Sequence, residues 1–202
     1  ETGHLFSWGE VARKGETLYS PDGYTSTATT DIAYTEHDAV KHLLGEGHWF
    51  WMTPTKAMWE KMIEECDWTW STVKKVDTGT ESEDNLDFDA SVWKVQKKDA
   101  LGKVTGQIYL PITGYAGWDE STNTYKKVEK ARCCYWTSTP ASASSGATEK
   151  SFAFYTQYEI DPNDPSTGHM SSKDKDKAIQ EHERYNGFAI RPVLMREKKR
   201  TP

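Results

Sequence analysis

"YWTSTP" at residues 135–140 and "NGFAIRPVL" at residues 186–194 decide how this chain folds. Each is a short apolar and aromatic run of the kind that forms a strand, and Pro192 marks the second as an edge or a strand end. Between them, residues 141–185 are largely polar. Apolar anchors on either side of a long polar segment describe a scaffold that displays a surface, because the strands carry the stability and leave the loops free.

Within that segment, "SFAFYTQYEI" (residues 151–160) alternates. Phe152, Phe154, Thr156 and Tyr158 share one face, and Ala153, Tyr155 and Gln157 the other. The phenylalanines define the core face, which leaves Tyr155 and Gln157 outside. Upstream, "WMTPTKAMWEKMIEEC" (residues 51–66) predicts a helix over 55–66. Thr55 is its cap, and Met58, Trp59, Met62, Ile63 and Cys66 make one apolar stripe that reads as core. A second helical pattern lies within residues 35–49, where Ala39, Val40, Leu43 and Leu44 precede the stops Gly45 and Gly47. Strands are expected at 67–73, at 91–98 and 103–112 around a turn at Asp99–Gly102, and at 133–139. Residues 3–10 read as a first strand or packed loop. Residues 13–37, the acidic insertion 76–90 and residues 113–127 read as loop. The expected class is α+β: small antiparallel sheets flanked by one or two helices, loop-rich, in one domain over 1–202, with 140–185 facing a ligand.

Nine Trp and ten Tyr among 202 residues supply a core from a few large side chains. A net charge of −6 argues against a broad nucleic-acid face, and the basic "REKKR" at 196–200 reads as a solvated terminus. No apolar run approaches the ~20 residues that span a bilayer, and no signal peptide is visible. Cys66, Cys133 and Cys134 are an odd set without a CxxC pair. They fit neither a complete disulfide framework nor zinc. Free thiols are expected, with a bridge from Cys66 to one of the other two left open.

Catalytic and metal signatures are absent. The six histidines form no HExxH, and the serines of 137–145 form no GxSxG elbow. Asp161, Asn163 and Asp164 in "DPNDP", and the group Asp84, Asp87 and Asp89, lack EF-hand spacing and read as acidic turns. No enzyme activity, metal or cofactor is expected. Binding remains. Rigid aromatics with Arg and Asn dominate adaptable interfaces, and the candidates are Tyr135, Trp136, Tyr155, Gln157, Tyr158, His182, Arg184, Tyr185 and Asn186. The face is expected to centre on His182, Arg184 and Tyr185, which sit in charged sequence just before the closing strand. Trp136 doubles as a half-buried wall.

The ordered set "LFSWGE" (5–10), "DAVKHLLGEGHWFWMTPTKAMWEKMIEECDWTW" (38–70), "GKVTGQIYLPITGY" (102–115), "YWTST" (135–139), "FAFYTQY" (152–158) and "NGFAIRPV" (186–193) resembles FISUMP-type domains of Bacteroidetes surface and secreted proteins. The resemblance implies the C-type-lectin-like superfold, with paired N- and C-terminal strands. That superfold also holds formylglycine-generating enzymes and the variable proteins of diversity-generating retroelements. The former need a spaced thiol pair, which the adjacent Cys133 and Cys134 do not copy. The Glu-Pro-Asn, Gln-Pro-Asp and Trp-Asn-Asp triplets of calcium-dependent lectins are also missing. The implied function is a non-enzymatic, extracellular or cell-surface adhesion domain that recognises glycan or protein on a host or bacterial surface. One alternative is a retroelement-diversified variable protein, for example on a phage virion. The other is a structural module of a surface assembly.

Overall fold

The computed structural model describes residues 4–12, 19–45, 50–73, 90–119, 121–128, 132–157, 170 and 172–195. The expected acidic insertion, both acidic turns, Tyr158 and the basic tail lie outside them, apart from the insertion's last residue, Ala90.

Along the chain run α1 (Ala39–Leu44), β1 (Trp51–Met52), α2 (Lys56–Glu65), β2 (Asp67–Val73), β3 (Ala90–Lys98), β4 (Val104–Pro111) and β5 (Tyr115–Asp119). Then follow β6 (Thr124–Val128), β7 (Arg132–Pro140), β8 (Lys150–Gln157), α3 (Ser172–Asp176), β9 (Ile179–Glu183) and β10 (Val193–Leu194). The strands form two three-stranded sheets, β2-β3-β4 and β7-β8-β9, and two pairs, β1-β10 and β5-β6. All these pairings are antiparallel. The chain is thus α+β with small antiparallel sheets and few helices.

Helix α2 forms where the stripe placed it. Thr55 Oγ1 accepts from the Met58 amide at 3.2 Å, which satisfies one of the amides that the first turn leaves open. Trp59 and Ile63 are buried and Met62 packs beside them. Thr55→Ala is expected to cost about 1 kcal/mol, the usual worth of such a cap; denaturant melts would show it, and an unchanged midpoint would remove the cap from the account. Helix α1 is held by Asp38, which is fully buried. Its carboxylate accepts from the amides of Tyr34, Val40 and Thr53 and from the Thr53 hydroxyl. Only Ala39 and Val40 of the expected stripe are buried, and Leu43 and Leu44 are exposed. The helix has just six residues, so its last turn projects past the core.

The sheet β7-β8-β9 is covered on both faces. Cys133, Tyr135 and Phe154 face a cluster with Trp59, Ile63, Trp68, Trp93 and Leu110. Cys134, Trp136 and Ala153 face a second cluster with Trp8, Ile32 and Phe188. Two-sided burial explains why "CCYW" is apolar without a break rather than alternating. It also corrects the faces expected for residues 151–158. Ser151 and Ala153, on the supposedly open side, are fully buried, whereas Phe152 on the supposed core side is only half-buried. All three cysteines are free thiols.

Residues 6–8 and 184–189 meet over the second cluster. Phe6 and Phe188 exchange backbone hydrogen bonds at 2.9 and 3.0 Å. Residues 187–189 also bridge β5 at Ala116 and run parallel to β7 at Tyr135. Gly187 is required here: a Cβ on it would fall 2.6 Å from the Tyr19 ring.

Residues 113–127, expected to be loop, instead hold the hairpin β5-β6. Its two strands are only five residues each, and Gly117 and two lysines weaken their local signal. Docking supplies what propensity lacks, because the Ala116 amide and carbonyl pair with Gly187 at 2.9 and 2.7 Å.

Candidate functional site

A cleft of about 360 Å³ opens between the β5-β6 hairpin and the end of β9. Its lining includes Tyr115, Asp119, Tyr155, His182, Glu183 and Asn186, with Ser121, Lys126 and Tyr185 also present. Three elements build it. Strand β5 presents Tyr115, Gly117 and Asp119 on one face by its two-residue period. Gly117 is needed because a Cβ would collide with the Asn186 side chain. Strand β8 contributes Tyr155, and β9 with the turn after it contributes His182, Glu183 and Asn186.

Tyr155 sits at the back. Its ring lies 4.4 Å from His182 and 6.1 Å from both Tyr115 and Phe188, centroid to centroid. The Arg132 guanidinium stands 5.0 Å over it and donates to the Tyr155 hydroxyl. Burial, reinforced by the neighbouring Tyr115, pushes the Tyr155 hydroxyl well above its ordinary range. It therefore stays a neutral phenol. Asp119 accepts from the Ser121 hydroxyl and amide, which hold its carboxyl below the usual range. Glu183 accepts from the Asn186 side chain at 3.3 Å. The site thus combines aromatic rings, two carboxylates and an amide.

Burial lowers the His182 imidazole to about 4, and its Nε2 is buried without a hydrogen-bond partner. The ring is neutral in the folded protein at neutral pH, whereas the unfolded chain takes up a proton below about 6.5. Stability from this residue is therefore complete above about pH 6.5 and is lost as pH falls toward 4. His182→Phe is expected to flatten that loss by roughly 2 kcal/mol at the acid end. Parallel pH profiles of the two proteins would remove the burial argument.

The expected binding residues divide sharply. Tyr155 and His182 are half-buried at the cleft, as is Glu183, which sequence reasoning missed. Tyr185 and Asn186 border it but are buried. Of Gln157 only the strand backbone is described. Tyr135, Trp136 and Arg184 are core residues, so the face centred on Arg184 and Tyr185 is corrected. The Tyr135 hydroxyl donates to the Pro111 carbonyl at 2.8 Å, and the Trp136 indole donates to the Phe6 carbonyl at 2.8 Å. Arg184 is completely buried. Its hydrogen bonds include Nε to Ser151 Oγ, Nη1 to the Ala28 and Ser144 carbonyls, and Nη2 to the Ser142 carbonyl, at 2.8–3.0 Å. Its guanidinium also lies 4.4 Å over the Trp8 ring. Position in a charged stretch suggested exposure; four oxygens and an aromatic face make burial tolerable.

Missed as well were Tyr115, Asp119, Ser121 and Lys126. The signal was the pair "YAGWD" and "TYKKV" around Ser-Thr-Asn, with Asn123 in the left-handed region at φ 52°. Burial holds the Cys133 and Cys134 thiols far above their ordinary range, so neither is a reactive thiolate at neutral pH. Among the described residues no group of three metal-ligating side chains occurs, and no helix is long and apolar enough to cross a membrane.

No family model matches the chain, and neither a curated protein nor a solved structure is similar to it.

Proposed function

We propose that this chain is a non-enzymatic ligand-binding domain with a C-type-lectin-like arrangement, acting at a cell surface or outside the cell. It recognises glycan or protein through the cleft between β5-β6 and the end of β9. The observation that carries the reading is the meeting of Tyr115 and Tyr155 with the carboxylates of Asp119 and Glu183 in one open cleft of about 360 Å³. That volume is at the small end for ligand sites, which favours a sugar terminus over a broad protein face. Aromatic rings offer apolar area to sugar C–H groups, and carboxylates and amides accept and donate to hydroxyls.

The test is a glycan array followed by calorimetry on any hit. Asp119→Asn with Glu183→Gln is expected to weaken binding about tenfold or more while the melting midpoint stays within a few degrees. Binding is expected to persist in chelator, because the two carboxylates act as acceptors and not as metal ligands. Full binding by the double variant would move the site elsewhere, and an empty array would end the glycan reading.

A further inference from the structure

We propose that the open edge of β4 pairs antiparallel with the same edge of a second copy of this chain. β4 is an outer strand of β2-β3-β4. From Val104 to Gln107, and again at Tyr109, it is exposed. Between Lys103 and Pro111 it carries no charge and no proline, two of the features that ordinarily guard a sheet edge, and its pairing with β3 is irregular only at Thr105, near the hairpin tip. Among the described residues, no backbone hydrogen bond reaches Val104–Tyr109 from outside the β3-β4 hairpin. Only the last two carbonyls, of Leu110 and Pro111, are taken, by Cys133 and Tyr135. The opposite edge is different. β2 begins at Asp67, which pairs with Lys98 at 2.7 Å, and its Trp68 carbonyl accepts from the Met170 amide.

The occupant follows from charge. Pairing about Gln107 sets Thr105 against Tyr109, Gly106 against Ile108 and Val104 against Leu110, and places Lys103 against Pro111. No like charges meet. Of the β3 lysines, Lys97 is matched by Glu65 and Lys98 by Asp67, and Lys94 lies across from Tyr109, one strand in from the junction. Thr105, Gln107 and Tyr109 are all exposed, so the junction gains a glutamine pair flanked by two threonine–tyrosine pairs of a kind that stabilises sheets. Leu101 and Val104, exposed at the hairpin tip, would lie beside the partner strand. The contact is two-fold and closes on itself, and with Met170 on the β2 edge it does not propagate into a fibre.

Sedimentation equilibrium of the intact chain over a concentration series is expected to show a monomer–dimer equilibrium. Gln107→Lys and Gln107→Glu each set like charges face to face and are expected to weaken the dimer roughly tenfold. Because Gln107 is exposed, circular dichroism and melting of each variant should match the parent. An equal mixture of the two variants is expected to recover the dimer as a mixed pair, which a merely damaged surface would not do. A parent chain that stays monomeric at its solubility limit would overturn the proposal, even if the edge then captured an unrelated extended peptide. So would a dimer indifferent to both substitutions.

Discussion

Arg184→Ala is expected to cost about 3–5 kcal/mol, a large share of the stability of a domain this size. The side chain is completely buried, and its hydrogen bonds gather three segments: Ala28, the loop at Ser142 and Ser144, and Ser151 on β8. Its removal leaves the Ala28, Ser142 and Ser144 carbonyls without these donors and opens a void against Trp8. Arg184→Lys should recover little, since a single ammonium cannot reproduce the planar fork that reaches three segments. Urea unfolding read by Trp fluorescence would measure both. An alanine variant as stable as the parent would return Arg184 to the surface and revive it as a ligand contact.

Trp59→Ala is the second large effect, at about 3–5 kcal/mol. Trp59 is the hinge between helix and sheet: its ring stacks on Phe154 at 4.7 Å and tilts against Tyr135 at 5.8 Å. Phe154 in turn stacks on Trp68 at 5.2 Å, so the void would reach β2. Trp59→Phe should cost clearly less, because it keeps the stack and deletes an indole N–H that is buried without a hydrogen-bond partner. Equal losses from both substitutions would mean that the intact indole, and neither ring volume nor stacking on Phe154, decides the site.

How much of this was legible depends on how local each cause is. Helix α2 needed only Thr55 and its stripe, and the β3-β4 turn needed only Asp99 and Gly102, whose roles are settled within a few residues. Asp99 Oδ1 accepts from the Leu101 and Lys103 amides, and Gly102 takes φ 79°. The hairpin β5-β6 was not legible, because its support comes from Gly187, far along the chain. Arg184 was misread for the same reason. Its neighbours in sequence, Glu181 and Glu183, are exposed or half-buried, and only distant carbonyls make its burial favourable. Two-residue alternation also failed for β8, because the rule assumes one wet face, while β7 and β8 bury residues on both. Tyr155 and His182, singled out by their chemical type, do line the cleft, while the hairpin that completes it was not foreseen.

The union of residues 6–8 with residues 184–188 has a consequence for biosynthesis. The Ser7 hydroxyl donates to the Tyr185 carbonyl across 178 residues of chain. On a ribosome working at ~5–20 residues per second, the first aromatic residues wait roughly 10–35 s before their partners exist. Phe6 and Trp8 spend that interval as uncovered apolar surface, available to chaperones and to misassembly. Among the buried residues of the second cluster Phe188 is made last, and its arrival completes the packing against Trp136 and the pairing with Phe6. The same arrival seats Gly187 against Ala116 and draws the β5-β6 hairpin into place. The cleft therefore takes shape only once Gly187 has paired with Ala116, and a nascent chain stalled before residue 188 would be unable to present it.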